Sequence, residues 1–352
     1  MVPVGLSGSM KWASRVRDLS TPCTMAAITD TFGRTVTNLR ISVTDRCNFR
    51  CTYCMPEEGM QWLQRSLLLT FEEITRVVRI VASLGVSHIR LTGGEPLMRR
   101  ELWRLVRMIR EVPGIRDLAL TTNGYFLKDQ ARDLVSAGLS RINVSLDSLD
   151  PRVLADLTRR DYFTRIWSGI EEVERLGLAP IKLNVVLIRG VNEGEILKFA
   201  ELARSRPFIV RFIEFMPIGK DDGWSIEKVV PSHEVIEAIH MRYPLVARQE
   251  EDGRPAERYV FEDGTGELGF ISSVSQPFCG RCDRVRITSD GKFRTCLFSL
   301  HETDLRSIVR GGRSDDDIAE ALVAAVWKKE EGHLINRPGF VRPERTMSQI
   351  GG

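Results

Sequence analysis

The pattern of apolar and polar residues predicts six short strands in the first part of the chain, and helical stretches separate most of them. The first segment has the two-residue alternation of a strand, and the others are short runs rich in β-forming residues. The six predicted strands are residues 39–44, 88–92, 118–122, 141–146, 182–188 and 210–215. Strands that alternate with helices predict an α/β fold with a parallel sheet. Six such units predict an incomplete (βα)6 barrel of the TIM type rather than a full eight-stranded barrel.

The first helix is the most clearly marked of the predicted helices. Residues 70–85 begin with Thr70 and Glu73, the pair of a capping box, and they end at Gly85. The apolar residues between these ends fall on one helical face: Ile74, Val77, Val78 and Val81. In a barrel of this type, functional residues lie at the C-terminal ends of the strands.

The regular pattern stops after the sixth predicted strand. Residues 217–260 are rich in loop-forming residues around one helix and indicate a domain boundary. Beyond it, residues 284–296 predict a hairpin that turns at Asp290 and Gly291, and a helix follows. We therefore predict a mobile leader, a barrel domain and a C-terminal region with a Gly-Gly tail: residues 1–31, 32–220 and 221–352.

Composition narrows the classes of function. The 352 residues carry a formal net charge of only +3, which is too weak a bias to predict nucleic-acid binding. The arginines that are scattered along the chain are compatible with an anionic small-molecule substrate. The sequence contains no apolar run long enough to span a membrane and no signal-peptide core. We expect a water-soluble, cytoplasmic protein without a membrane partner.

Six of the seven cysteines form two triplets, which are metal ligands rather than disulfides in a reducing compartment. The first triplet, Cys47, Cys51 and Cys54, directly follows the first predicted strand. A structural zinc site needs four ligands, and no fourth ligand is close in sequence. Three cysteines are sufficient for a [4Fe–4S] cluster whose fourth iron is free to bind a ligand.

The second triplet, Cys279, Cys282 and Cys296, is spaced around the predicted hairpin. A zinc ribbon completed by His301 is one interpretation of this spacing. A second [4Fe–4S] cluster with an open iron is the interpretation that we favour, because such an iron is a Lewis-acidic place for a substrate nitrogen or oxygen. The remaining cysteine, Cys23, receives no role.

The segment "CNFRCTYC" resembles the cysteine motif of the radical S-adenosylmethionine superfamily, and "GGEP" (93–96), "VSLD" (144–147) and "IEFM" (213–216) match further motifs of that superfamily. The resemblance implies a partial barrel in which the open iron binds S-adenosylmethionine. It also implies that reductive cleavage of this cofactor gives a 5′-deoxyadenosyl radical. The residues implied to contact S-adenosylmethionine are Tyr53, Gly94, Ser145 and Met216.

The two triplets together, "DGKFRTCLF" and the ending "IGG" closely resemble the family of GTP 3′,8-cyclases, which begin molybdenum-cofactor biosynthesis. This resemblance implies two [4Fe–4S] clusters, the second of which holds guanine. It also implies abstraction of the ribose hydrogen at C3′ of GTP and bonding of C3′ to guanine C8. The implied GTP contacts are Arg40, Arg90, Thr121, Lys182, Arg284 and Arg286, and the implied catalytic tail is Gly351 and Gly352.

The same resemblance implies partners. They are GTP, a one-electron donor such as flavodoxin or ferredoxin, and a downstream cyclic pyranopterin monophosphate synthase; a homodimer is compatible with it. The sequence departs from the family at His88, where relatives have Lys, and this substitution weakens one expected phosphate contact. The rival interpretations are a radical enzyme that acts on another nucleotide or a peptide, a zinc-binding module that contacts nucleic acid, and an inactive relative.

Overall fold

The computed structural model describes residues 27–56, 58, 60–219, 223–248 and 255–351. Most of the predicted leader, residues 1–26 with Cys23, lies outside the described residues, and so does Gly352 of the tail. Within the described part of the chain, no helix is both long and apolar enough to cross a lipid bilayer.

The centre of the structure is one sheet of twelve strands. In chain order they are β1 (Asn38–Ser42), β2 (His88–Thr92), β3 (Asp117–Thr122), β4 (Arg141–Ser145), β5 (Ile181–Leu187), β6 (Phe208–Glu214), β7 (Leu245–Arg248), β8 (Glu257–Phe261), β9 (Glu267–Ile271), β10 (Arg284–Ile287), β11 (Lys292–Arg294) and β12 (Thr303–Asp304). Their order across the sheet is β12-β11-β10-β1-β2-β3-β4-β5-β6-β9-β8-β7. The strands from β10 through β9 in this order are parallel, and the outer pairs on both sides are antiparallel.

Helices follow most of the parallel strands. Those of the described residues are α1 (Phe71–Ser83), α2 (Leu102–Arg110), α3 (Leu127–Ser136), α4 (Pro151–Thr158), α5 (Phe163–Arg175), α6 (Ile196–Ser205), α7 (Ser232–His240), α8 (Leu305–Arg310), α9 (Asp315–Trp327) and α10 (Met347–Ile350). The six predicted strands coincide with β1 to β6 within a few residues, so the predicted incomplete α/β barrel is confirmed.

The start of α1 shows how local sequence determines an element. The Thr70 hydroxyl accepts a hydrogen bond from the Glu73 N–H, and the Glu73 carboxylate accepts one from the Thr70 N–H. This capping box satisfies two N–H groups that the first helical turn leaves free. At the other end, Gly85 has a φ of +94°, which favours glycine. The apolar face between the ends is buried in the main core.

The prediction of a loop-rich boundary over residues 217–260 was incomplete. This stretch holds α7, as expected, but it also holds β7 and most of β8, which continue the sheet through β9. Three of the four residues of β7 are exposed, so the strand lacks the alternation that marks a half-buried strand in sequence. Pairing with β8 therefore determines this strand, and no local signal reveals it.

The predicted hairpin is present as β10 and β11, with Gly291 at the turn at a φ of +76°. Its position in the fold was not predicted, since β10 lies parallel to β1 and extends the barrel at that side. Near the start of the described chain, Ile28 and Asp30 are buried, and the Ile28 N–H donates to Leu84 O at 3.0 Å. The predicted division of the chain into residues 1–31, 32–220 and 221–352 stays a prediction.

Candidate active site

The first cysteine triplet lies on the loop that leaves the C-terminal end of β1. Backbone hydrogen bonds shape a tight turn here, because the N–H groups of Cys54 and Met55 both donate to Cys51 O, at 3.0 and 3.1 Å. The Thr52 N–H donates to Leu157 O at 2.9 Å and ties the loop to α4. All three cysteines are free thiols of intermediate exposure and line one large cavity.

The surroundings of these thiols are suited to metal binding rather than to free thiolates. Burial raises the pKa of Cys47 and of Cys54 to about 12, and it raises that of Cys51 well above its usual value. Without a metal, the thiols would therefore stay protonated at neutral pH. The Phe49 N–H and the Asn123 side-chain amide point at Cys47 Sγ, at 3.4 and 3.8 Å. Such donors suit a thiolate, the form in which cysteine binds metal.

Gly93 and Gly94 bring the loop after β2 into contact with the loop after β1. The Gly94 N–H donates to Thr44 O at 2.7 Å. A Cβ on Gly94 would lie 2.4 Å from Arg46 O and 2.5 Å from Asp45 O. The absence of a Cβ on these glycines allows close contact with the backbone that leads into the first triplet, and both glycines also line the cavity.

Glu95 is a functional candidate that the sequence analysis missed. Its buried carboxylate accepts hydrogen bonds from the Leu97 N–H, the Asn123 N–H and the Thr122 hydroxyl, at 2.9, 2.7 and 2.7 Å. Burial raises the pKa of the Glu95 carboxyl to about 7 in spite of these bonds. The residue joins the loops that follow β2 and β3, and only its place within "GGEP" marked it in the sequence.

The four residues expected to contact S-adenosylmethionine all line the cavity that the first triplet borders. Tyr53 donates its hydroxyl to Asp147, which also accepts from the Val186 N–H at 2.8 Å. Burial raises the pKa of Asp147 to about 6. Asp147 is another residue that the sequence analysis missed; it comes two positions after Ser145, at the end of β4.

Three arginines form a row across neighbouring parallel strands. Arg286 of β10 pairs in register with Arg40 of β1, which pairs in register with Arg90 of β2. Residues in register on adjacent strands point to the same face, and like charges placed side by side repel one another. Burial lowers the pKa of Arg90 to about 10 and that of Arg286 to about 9. It also lowers the pKa of Arg40 well below its usual value, and the charges of Arg286 and Arg90 add to this effect. An anion bound along the row would therefore stabilise it, because the anion would reduce the repulsion among the three arginines.

Further cations surround this row. Arg211 of β6 also lines the cavity and donates to Asn184 Oδ1 at 2.7 Å. Burial, with smaller contributions from the charges of Arg90 and Arg141, lowers the pKa of Arg211 to about 9. The sequence analysis missed Arg211, although a positive charge in the middle of the apolar segment "FIVRFIE" (208–214) was a usable signal.

The other expected GTP contacts do not all reach the cavity. Thr121 and Arg284 line it, whereas Lys182 does not. Burial lowers the pKa of Lys182 to about 7, with smaller contributions from Arg211, Arg141 and Arg90. His88 is also outside the lining; its Nδ1 lies 3.0 Å from the Ser87 hydroxyl.

The second triplet borders the same cavity, so the structure brings together two groups of three cysteines that lie far apart in sequence. Burial acts to raise the pKa of Cys282, but the charges of Arg284 and Lys329 outweigh it and lower the pKa to about 7. The buried Arg34 donates to Cys279 O at 2.7 Å and fixes one end of the triplet. His301, the fourth ligand of the zinc interpretation, is exposed and does not line the cavity.

The C-terminal tail enters the site beside the arginine row. Gly351 O accepts a hydrogen bond from Arg286 Nη1 at 2.6 Å. Gly351 has a φ of +88°, and a Cβ there would lie 2.9 Å from Ser42 Cβ and 3.0 Å from Thr92 Cγ2. Only glycine fits this position without strain.

An ion-pair network outside the cavity holds the tail. The Arg345 guanidinium donates to both carboxylate oxygens of Asp290, at 3.2 and 3.1 Å, and to Glu302 at 2.9 Å. Arg345 directly precedes Thr346, the capping residue of α10. The network therefore anchors α10, the short helix directly before Gly351, to the turn between β10 and β11.

The cavity as a whole has a volume of about 280 Å³ and opens to solvent. Both cysteine triplets lie in its lining.

Comparison with known proteins gives this site a family. The chain matches the Radical SAM superfamily over residues 41–203 and the family Molybdenum Cofactor Synthesis C over residues 208–335. It is 44% identical over 326 residues to a GTP 3′,8-cyclase of Streptomyces coelicolor, with 92% of this chain and 96% of the relative covered. A GTP 3′,8-cyclase of Pelotomaculum thermopropionicum is 48% identical, with 92% and 99% covered. The chain belongs to the GTP 3′,8-cyclase family.

Solved structures agree with this fold. Streptococcus suis SuiB bound to S-adenosylmethionine superimposes with a TM-score of 0.58 at 14% identity, over 87% of this chain and 76% of SuiB. SuiB bound to its precursor peptide SuiA gives a TM-score of 0.59. At this identity the likeness concerns the fold alone. Membership of the radical SAM superfamily implies an iron–sulfur cluster and S-adenosylmethionine for this cyclase family member.

The glycine contact at the first triplet is testable. We expect Gly94→Ala to displace the loop of Asp45 and Arg46, at an overpacking cost of about 1–3 kcal/mol, and to lower the iron that the first triplet retains. Iron per chain is measured after anaerobic reconstitution in a protein whose second triplet is changed to alanine. Gly194→Ala is the control, since a Cβ at Gly194 meets nothing within 4 Å. Equal iron in both variants would contradict the expectation.

Proposed function

We propose that this protein is a radical S-adenosylmethionine GTP 3′,8-cyclase that joins ribose C3′ to guanine C8 of GTP, the first step of molybdenum-cofactor biosynthesis. The observation that carries the proposal is one cavity whose lining holds both cysteine triplets and a row of three arginines in register on adjacent strands. One triplet suits a radical-generating cluster, and the row suits a triphosphate. The family assignment supports the same reaction.

Cys47, Cys51 and Cys54 would hold a [4Fe–4S] cluster with one open iron, as three ligands on a short loop allow. This cluster would supply the electron that cleaves S-adenosylmethionine to a 5′-deoxyadenosyl radical. Tyr53, Gly94, Ser145 and Met216 would surround S-adenosylmethionine, because all four line the cavity beside this loop.

The triphosphate of GTP would lie along the arginine row. Arg40, Arg90 and Arg286 occupy adjacent positions on three strands, and their repulsion would be relieved by an anion of several charges. Arg211 and Arg284 line the same space and would complete the binding site. Thr121 would donate a neutral hydrogen bond at its edge.

Cys279, Cys282 and Cys296 would hold a second [4Fe–4S] cluster that positions guanine. Their place at the cavity, close to Arg284, supports this assignment, because a nucleotide bound by the arginines would extend towards them. Gly351 would close the site beside the phosphate-binding Arg286. Gly352, which lies outside the described residues, is assigned the same role only through the family resemblance.

The reaction class defines the partners that we propose. A one-electron donor such as flavodoxin or ferredoxin would reduce the first cluster, and a cyclic pyranopterin monophosphate synthase would consume the product. The reducing cytoplasm would keep the six thiols available for iron. A homodimer is the oligomeric state that we would test first.

The proposal is tested anaerobically. Reconstituted protein with reductant, S-adenosylmethionine and GTP should yield 5′-deoxyadenosine and a cyclised guanosine triphosphate by mass spectrometry, whereas Cys47→Ser should yield neither because it loses the first cluster. ATP in place of GTP is the control for substrate. Equal deoxyadenosine with GTP, with ATP and without nucleotide would reject GTP as the substrate.

The lowered pKa of Lys182 predicts that GTP binding depends on pH. Below pH 7 the Lys182 amine is already protonated before GTP binds. Above pH 7 the amine must take up a proton when GTP binds, because the triphosphate favours the charged ammonium form. We expect the affinity to fall as pH rises from 7 to 9, by up to about tenfold per unit for one coupled proton. Calorimetry over this range measures it. Lys182→Arg should remove most of the pH dependence, and an unchanged slope in that variant would contradict the prediction.

The tail provides another prediction. Deletion of Gly351 and Gly352 should lower cyclisation roughly 100-fold, the scale of effect that a small misplacement in an active site produces. The iron content should stay unchanged, because neither residue belongs to a triplet. Product is measured by mass spectrometry and iron by colorimetry on the same sample. Undiminished product from the shortened protein would show that the tail has no part in the reaction.

A further inference from the structure

Lys329 is a buried cation that the proposed reaction does not use. It comes two residues after α9 ends, and its side chain is almost completely buried, with 3% of its surface exposed. Its ammonium group donates to Arg284 O at 2.8 Å and to Thr295 O. The same nitrogen lies 4.0 Å from Cys282 Sγ. Lys329 therefore bridges the chain segments that carry Cys282 and Cys296.

A buried ammonium group needs a nearby negative charge, because burial removes the water that stabilises it. Among the residues that the structure describes, no carboxylate lies within ion-pair distance of Lys329. The neighbouring Glu330 accepts hydrogen bonds from the hydroxyls of Thr295 and Ser299 instead. The group that faces the ammonium is the sulfur of Cys282.

A second cation approaches the same sulfur. Arg284 Nη2 lies 3.4 Å from Cys282 Sγ, and the guanidinium stacks on the Phe278 ring at 4.6 Å. At the first triplet, by contrast, the donors to Cys47 Sγ are the neutral N–H of Phe49 and the neutral amide of Asn123. The two triplets thus differ in the charge that surrounds their sulfurs.

We propose that Lys329 is a positioning residue that supplies the counter-charge of the second cluster and raises its reduction potential. This inference rests on the proposed function, which places a [4Fe–4S] cluster at Cys279, Cys282 and Cys296. A cluster held by three thiolates gains a further negative charge on reduction, and nearby positive charge and hydrogen bonds to sulfur stabilise that state. The two carbonyl bonds of Lys329 keep its charge fixed beside the sulfur.

The test isolates the second cluster in the full chain. The parent protein has alanine at all three positions of the first triplet, so that iron binds at the second triplet alone. Lys329→Gln removes the charge and keeps a hydrogen-bond donor, whereas Lys329→Arg keeps both. Lys328→Gln is the matched control, because Lys328 is the exposed neighbour. The readouts are iron and sulfide per chain and the midpoint potential from a titration followed by electron paramagnetic resonance.

We expect Lys329→Gln to give a more negative midpoint potential than the parent, and Lys329→Arg and Lys328→Gln to stay near the parent value. Loss of iron from Lys329→Gln alone would support the same conclusion. Equal potentials in Lys329→Gln and Lys328→Gln, or loss of iron from both Lys329 variants, would overturn it in favour of a purely structural role. A parent protein that assembles no iron–sulfur cluster would instead overturn the second cluster itself, and this inference with it.

Discussion

The parallel pairing of β10 with β1 is the contact on which the site depends. It places Arg286 beside Arg40, and it brings the second cysteine triplet to the cavity that the first triplet borders. The paired strands are more than 200 residues apart in the chain, so their pairing closes a long loop and costs conformational entropy. Without it, the barrel would keep the loop of the first triplet, but the cavity would lose Arg284, Arg286 and the second triplet.

The arginine row lowers the stability of the empty protein, and a bound anion would offset this loss. Arg286 is buried, Arg40 and Arg90 are half-buried, and their like charges lie side by side, an arrangement that costs free energy in the empty protein. The tail reduces this cost in part, because Gly351 O accepts a hydrogen bond from Arg286. A polyanionic ligand would remove much of the rest. Selectivity for a nucleoside triphosphate would then come from the same charges that destabilise the unliganded site.

The two triplets are alike in ligand count and different in surroundings. At the first triplet, the groups that point at Cys47 Sγ are the neutral amides of Phe49 and Asn123, on a loop that Gly93 and Gly94 hold in place. At the second, the cations Arg284 and Lys329 lie near Cys282 Sγ. Local charge is one of the main controls on the reduction potential of an iron–sulfur cluster. Clusters at the two triplets would therefore differ in reduction potential.

The sequence alone determined the local features of this protein. The pattern of apolar and polar residues located β1 to β6, and the capping box of Thr70 and Glu73 located α1. The spacing of the cysteines indicated two iron sites. Each of these signals is local, because it depends on residues that are close together in the chain. Tertiary structure decided what depends on distant contacts: the pairing of β10 with β1, the edge strand β7, the arginine Arg211 in the cavity, and Lys329 beside Cys282. Burial and opposing charge act through space, so no short window of sequence contains them.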